Sequence, residues 1–293
     1  MPLANSPLRY PGGKAILAEL LAAVVAENNL HDGTYAEPYA GGAGAALSLL
    51  FGEHVQRIVL NDADPCIHAF WSAVLHRKND LVDRVQNAEL TIAEWRRQRA
   101  IYLQHQRHSR IKVAFAAFYL NRCNRSGIMV NGGPIGGYEQ AGTWKLDARF
   151  NRDQLIERIE KIHAYKERIE LYNLDAIDFL EVLAANGDSS ATLVYLDPPY
   201  FVKGRELYLN HYQPADHEAV AKFITSHPFL KWIMTYDDVP EIRALYSACR
   251  CAPFTLSYSA HSRKIGRELL IHDSKITLPE GLVHLVGPAQ ESA

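Results

Sequence analysis

The chain has 293 residues, 48% of them hydrophobic and 22% charged, with a net charge of −2 at pH 7. This is an ordinary globular composition, long enough to bury a core without covalent staples as one large domain or a domain carrying an insertion. Cys66, Cys123, Cys249 and Cys251 show neither disulfide nor metal-ligand spacing, and no apolar run suits a signal core or a bilayer span, so the expectation is a cytoplasmic protein with no metal site.

The charge is unevenly placed. Between Trp95 and Tyr138 there is no Asp or Glu, while Arg96, Arg97, Arg99, Arg107, Arg110, Lys112, Arg122 and Arg125 give +8 and leave −10 on the rest. A basic window on an otherwise acidic chain is the electrostatic footprint of a polyanion-binding face.

In chain order, Leu8-Arg9-Tyr10-Pro11-Gly12-Gly13-Lys14 reads as a turn opening a helix that runs to about Asn28, with Leu17, Leu20, Leu21 and Val24 at helical spacing. Lys14 in a first turn opposes the helix macrodipole, a placement that an anionic ligand such as a carboxylate explains. Tyr35-Ala36-Glu37-Pro38-Tyr39-Ala40-Gly41-Gly42-Ala43-Gly44 and the apolar run to Phe51 read as strand, glycine turn and helix. Gly42 and its neighbours allow close approach of a cofactor. The strand Arg57–Leu60 ends at Asn61-Asp62, and Asp62, twenty positions beyond Gly42, is placed to accept from two ribose hydroxyls. Leu47 occupies the third glycine position of G-x-G-x-x-G, and Glu37 repels a pyrophosphate. Both point away from a nicotinamide cofactor and toward one with positive charge near this loop.

From about Leu75 to His163 the strand pattern stops. Helices are expected at Ile92–Gln106 and Ile111–Arg122, the second apolar nearly all round and therefore buried. The loop that follows alternates guanidinium, amide and backbone groups, the chemistry that contacts phosphates and base edges, which makes Asn121, Arg122, Asn124 and Arg125 candidate contacts. Phe150-Asn151 caps a further helix. The stretch 76–164 reads as an insertion between the two parts, 1–75 and 165–293, of an α/β domain.

The sheet resumes at Ile169–Tyr172, followed by Asp175 and a helix over Ile177–Ala185. Leu193-Val194-Tyr195-Leu196-Asp197-Pro198-Pro199-Tyr200 then reads as a buried parallel strand that delivers Asp197 to its C-terminal edge. Two prolines strip the exit of N–H donors. What remains is a set of acceptors, Asp197 and the carbonyls beside it, with Tyr200 as a flat wall. Such a site suits a planar group whose amino substituent has two hydrogens to donate. A loop containing Lys203, a helix over Pro214–Ser226, and strands at Lys231–Thr235, Phe254–Tyr258 and Leu269–His272 complete the chain, the last two strands flanking a basic hairpin tip.

Taken together, Tyr10-Pro11-Gly12-Gly13-Lys14, Glu37-Pro38-Tyr39-Ala40-Gly41-Gly42-Ala43-Gly44, Asn61-Asp62, Asn121-Arg122 and Asp197-Pro198-Pro199-Tyr200 resemble, in the same order, the Dam-type (D12 class) DNA adenine N6-methyltransferases. The resemblance implies a Rossmann-like S-adenosylmethionine-dependent methyltransferase sheet with an inserted, mainly helical target-recognition domain. It implies S-adenosylmethionine as cofactor, contacted by Tyr10, Lys14, Asp62 and Asp197, and double-stranded DNA as partner. On that reading Glu37, Gly42 and Asp175 join the cofactor site. Asp197, Pro198, Pro199 and Tyr200 grip a flipped adenine, and Lys203 joins Asn121, Arg122, Asn124 and Arg125 on the DNA. Cys123-Asn124-Arg125-Ser126-Gly127-Ile128 replaces an aromatic-rich run of the best-known members, which leaves the recognised base sequence open. Three other readings stand beside this one: the same chemistry on cytosine N4, an RNA adenine or a protein glutamine; a DNA-binding module without turnover; and a nicotinamide dehydrogenase.

Overall fold

A computed structural model of the chain describes residues 5–9, 15–129, 131–186, 191–201, 212–227, 230–257 and 265–279. Tyr10, Lys14, Lys203 and the tip of the expected basic hairpin lie outside the described residues. The chain packs into two compact units: Gly12–Asn61 with Leu174–Ala293, and Met1–Pro11 with Asp62–Asn173.

The first unit is an α/β layer structure. Its strands are β1 (Thr34–Glu37), β2 (Arg57–Asn61), β4 (Thr192–Leu196), β5 (Lys231–Asp237), β6 (Arg250–Ser257) and β7 (Ile265–His272). β3 (Ile169–Tyr172) falls in the second unit. Within the first unit the sheet runs β2-β1-β4-β5-β7-β6. β1, β2, β4 and β5 pair in parallel, whereas β7 lies antiparallel between β5 and the edge strand β6. All five residues of β4 are buried, as a continuous apolar run between two parallel neighbours requires. Helix α1 (Ala15–Glu27) precedes β1, and α2 (Gly44–Phe51), α8 (Ala176–Asn186), α9 (Pro214–Ser226) and α10 (Pro240–Leu245) lie between successive strands in the chain. Leu17, Leu20, Leu21 and Val24 of α1 are buried, as their spacing predicts.

The second unit is mainly helical: α3 (Pro65–His76), α4 (Lys78–Gln86), α5 (Ile92–Leu103), α6 (Arg110–Cys123) and α7 (Arg152–Ala164). α6 is buried from Val113 to Asn121 and forms its centre. Phe70 of α3 stacks on Phe118 of α6 at 5.7 Å, and Phe150 meets Phe118 edge-on at 5.6 Å. That packing is why α3 belongs with the helices that follow it. Among the described residues no helix is long and apolar enough to cross a membrane.

Candidate active site

Strand register builds the site. Leu196 at the end of β4 pairs with Met234 of β5, so the next residue of each strand, Asp197 and Thr235, emerge side by side at the carboxyl edge. Thr235 Oγ1 donates to Asp197 Oδ1 at 3.1 Å, and the Thr235 and Tyr195 hydroxyls share a 2.7 Å hydrogen bond. Tyr195 and Thr235 are buried and Asp197 is half-exposed, so a buried hydroxyl pair holds a partly exposed carboxylate next to the strand's end. Pro198 is buried, while Pro199 and Tyr200 are half-buried.

Residues two apart on a strand share a face. Tyr35 and Glu37 of β1, Tyr195 and Asp197 of β4 with its exit, and Thr235 and Asp237 of β5 therefore line one face, together with Glu268, which pairs with Asp237 from β7. Glu37, Asp237 and Glu268 are buried. Burial lifts the Tyr35, Tyr195 and Tyr200 phenols well above the usual tyrosine range. The neighbouring carboxylates push the same way: Glu37 and Asp197 on Tyr35, Asp197 and Glu268 on Tyr200.

The flanking loops are pinned. Glu37 Oε1 accepts from the Tyr35 hydroxyl at 2.9 Å and from the Ala46 amide at 3.2 Å, joining the end of β1 to the first turn of α2. In the turn between them Gly41 and Ala43 take φ near +47°, a left-handed conformation that costs Ala43 about 1–2 kcal/mol. Gly42 lies buried within the turn. A Cβ built on Gly44 meets nothing within 4 Å, which leaves open space beside the first turn of α2. Asn61 donates to the carbonyls of Pro38 and Leu174 and accepts from the Leu174 amide, tying together the exits of β1 and β2 and the start of α8. Asp175 is exposed and its Oδ1 accepts from the Ile177 amide.

Behind the Asp-Pro-Pro-Tyr exit, the Phe201 amide donates to Asp237 Oδ1 at 2.9 Å. Phe201, Tyr212 and Tyr236 surround His217 at ring separations of 5.0–5.6 Å, and His217 Nδ1 shares a 2.6 Å hydrogen bond with the Tyr236 hydroxyl. Burial depresses the His217 imidazole below its ordinary range. The Tyr39 and Tyr212 hydroxyls bond at 2.8 Å, and burial pushes Tyr212 up to about 12. Thr235, Asp237, His217, Tyr236 and Glu268 are residues that sequence reasoning missed. The polar Thr235 and Asp237, two apart in an otherwise apolar strand, are the signal that could have found this face.

In the second unit Asp62 directly follows β2. Its amide donates to the Tyr172 carbonyl, and its Oδ1 accepts from the Asp64 amide at 2.9 Å. The expected DNA contacts need correction here. Asn121 is 1% exposed: its Oδ1 accepts from the Arg9 amide at 2.6 Å and its Nδ2 donates to the Arg9 carbonyl at 2.8 Å. Asn124 is fully buried, accepting from Trp95 Nε1 and donating to the Ile128 carbonyl. Both amides hold protein backbone or indole, so neither faces DNA. Arg122 is half-buried and donates to the Arg149 and Pro7 carbonyls, and burial with cationic neighbours lowers it to about 9. Of the described candidates Arg125 alone is exposed, with Arg96, Arg97, Arg99, Arg107, Arg110 and Lys112. Arg97 is paired with Glu94.

The first unit is thus an α/β sheet whose central parallel strand ends in an Asp-Pro-Pro-Tyr exit braced through Thr235. The family model of the D12 class N6 adenine-specific DNA methyltransferases matches residues 10–265, and the chain belongs to that family. It is accordingly an enzyme that methylates adenine N6 in DNA. Two solved structures of the rRNA methyltransferase aviRa from Streptomyces viridochromogenes, at 2.4 Å and 1.5 Å, are each 14% identical with a TM-score of 0.35. The alignments cover 87% of this chain and 84% of the relative in the first, and 92% and 87% in the second. No curated protein matches the chain.

Proposed function

We propose that the chain binds S-adenosylmethionine at the carboxyl edge of its sheet and methylates an adenine flipped out of double-stranded DNA. The observation that carries this reading is the Tyr195–Thr235–Asp197 chain, which presents one carboxylate, with its strand-exit carbonyls, to an incoming amino group. The face lined by Glu37, Asp197, Asp237 and Glu268 fits a cofactor bearing a sulfonium and an ammonium, and the open space at Gly44 admits it. Bound there, S-adenosylmethionine supplies an electrophilic methyl group.

The chain's own groups do the rest. The Asp197 carboxylate and the Pro198 carbonyl accept the two N6 hydrogens and turn the nitrogen lone pair out of ring conjugation. Pro199 stiffens the exit, and Tyr200 stacks on the extruded ring. Positioning and preorganised charge then carry the catalysis. Tyr10 and Lys14 take the methionine end, Asp62 the ribose, and Asp175 the cofactor's adenine, with Gly42 shaping the turn after β1. The insertion 76–164 reads the DNA, with Arg125 among its phosphate contacts, and Lys203 adds one from the α/β domain. Four free cysteines accord with a reducing, cytoplasmic setting.

The test is Asp197→Ala, expressed beside the wild type in a host without DNA methylation, with modified bases mapped by single-molecule sequencing. Wild type deposits N6-methyladenine and Asp197→Ala deposits none. A variant that methylates at the wild-type level refutes the mechanism.

A further inference from the structure

Three of the four tryptophans, Trp71, Trp95 and Trp232, are at most 2% exposed, whereas Trp144 is 69% exposed. The segment that carries it is closely knit. Gln140 Nε2 donates to the Ile135 and Gly137 carbonyls at 2.8 and 2.7 Å, and Gln140 Oε1 accepts from the Leu146 amide at 3.0 Å. The Gly142 amide closes on the Gly136 carbonyl, and Lys145 Nζ donates to the Gln140 carbonyl. Gly136 sits at φ +85°, and a Cβ there would lie 2.6 Å from the Trp144 carbonyl, so the backbone beneath Trp144 tolerates glycine alone. A single side chain thus ties both ends of an Ω-shaped loop whose surface carries an indole in water.

The surroundings are cationic and aromatic. Tyr138, 54% exposed on the same loop, meets the buried Trp95 ring edge-on at 5.6 Å, and the exposed Arg99 guanidinium lies 5.9 Å from the same ring. Arg125 is fixed to the base of the loop by its amide, which donates to the Gly133 carbonyl, and its guanidinium lies 3.8 Å from a Cβ built on Gly137. An aromatic face held out rigidly beside guanidinium groups is the combination that stacks on bases while neighbouring cations hold phosphates.

We infer that Trp144 is a base-stacking residue: in the enzyme–DNA complex its indole lies on the face of a nucleobase in distorted duplex, with Arg99 and Arg125 on adjacent phosphates. This rests on the DNA-methylating reading above. The loss of one such stack is worth about five- to 150-fold in productive binding.

The experiment uses the full chain and a mixed-sequence duplex fragment carrying methylatable sites. Acrylamide quenching of tryptophan emission reports the one accessible indole, and Trp144→Phe removes that signal. Saturating duplex shields it in the wild type. Trp144→Ala lowers kcat/KM for DNA about five- to 150-fold with cofactor affinity unchanged, and Trp144→Phe recovers most of the loss. Quenching that persists at saturating duplex, or wild-type turnover by Trp144→Ala, overturns the inference. A wild-type enzyme that does not methylate DNA overturns the underlying reading instead, and the shielding measurement then judges Trp144 by itself.

Discussion

Thr235→Val is the sharpest perturbation of the catalytic edge. Valine keeps the shape of the buried side chain and removes only its hydroxyl. The wild-type hydroxyl donates to Asp197 at 3.1 Å and meets Tyr195 at 2.7 Å. A hydrogen bond to a charged group contributes about 1.5–3 kcal/mol, and loss of the bond between Thr235 and the buried Tyr195 hydroxyl costs about 0.5–1.5 kcal/mol. The first quantity bears on catalysis, because Asp197 loses the contact that orients it, and it corresponds to about ten- to 150-fold in kcat. The second bears on stability and is read from urea unfolding. Single-turnover methylation of duplex DNA, at enzyme concentrations corrected for folded fraction, measures the methyl-transfer step of kcat apart from binding and product release. Thr235→Ser, which keeps the hydroxyl, stays within a few-fold of wild type. A Thr235→Val enzyme that turns over within twofold of wild type would show that the bond does not orient the carboxylate, and the reasoning from strand register to chemistry would fail there.

Asn121→Ala leaves the Arg9 amide and carbonyl without their side-chain partner, so it lowers unfolding free energy by about 2–4 kcal/mol in urea titration. The salt dependence of DNA binding stays as in wild type for that variant, whereas Arg125→Gln on the exposed face reduces the slope by about one. Burial lowers His217, His68 and His272 below the ordinary histidine range, so the folded state binds fewer protons than the unfolded chain once pH falls beneath about 6.5. Their contribution to stability is complete above that value and is lost as pH drops toward the folded-state values. Urea midpoints measured at about pH 7.5 and 5.5 therefore fall with acid, and a flat profile contradicts the assignment.

Elements with strong local signals were legible. α9 begins at Pro214 and ends at Ser226 as read, because proline at the first helical position and the Gln213–Asp216 capping box mark its start. β4 and its proline exit were legible because a short apolar run closed by two prolines has few alternatives. β6 starts at Arg250, four residues before the expected Phe254, since Pro253 discourages a strand except at a sheet edge, where β6 lies. α3, α4 and α10 went unread, although Asp64 and Pro65 mark the start of α3 as a cap and first residue. The bracing of Asp197 was out of reach because Thr235 is 38 positions away and cross-strand register is not written in local pattern. The error at Asn121 and Asn124 has a chemical origin. A side-chain amide that can read a base edge can equally hold a backbone amide and carbonyl, and composition does not reveal which is buried.

On the proposed reading, in which the middle of the chain selects the DNA sequence, the grip on the segment from Ser6 to Arg9 bears on how specificity can be re-engineered. Asn121 clasps Arg9, Arg122 reaches Pro7 and Arg158 reaches Ser6, so three donors from two helices meet one short strand of backbone far away in the chain. A chimera that imports only the middle of a relative's chain severs that seam. Grafts that carry residues 6–9 along with the transplanted helices keep it whole, and those are the hybrids to build when altering which sites are marked.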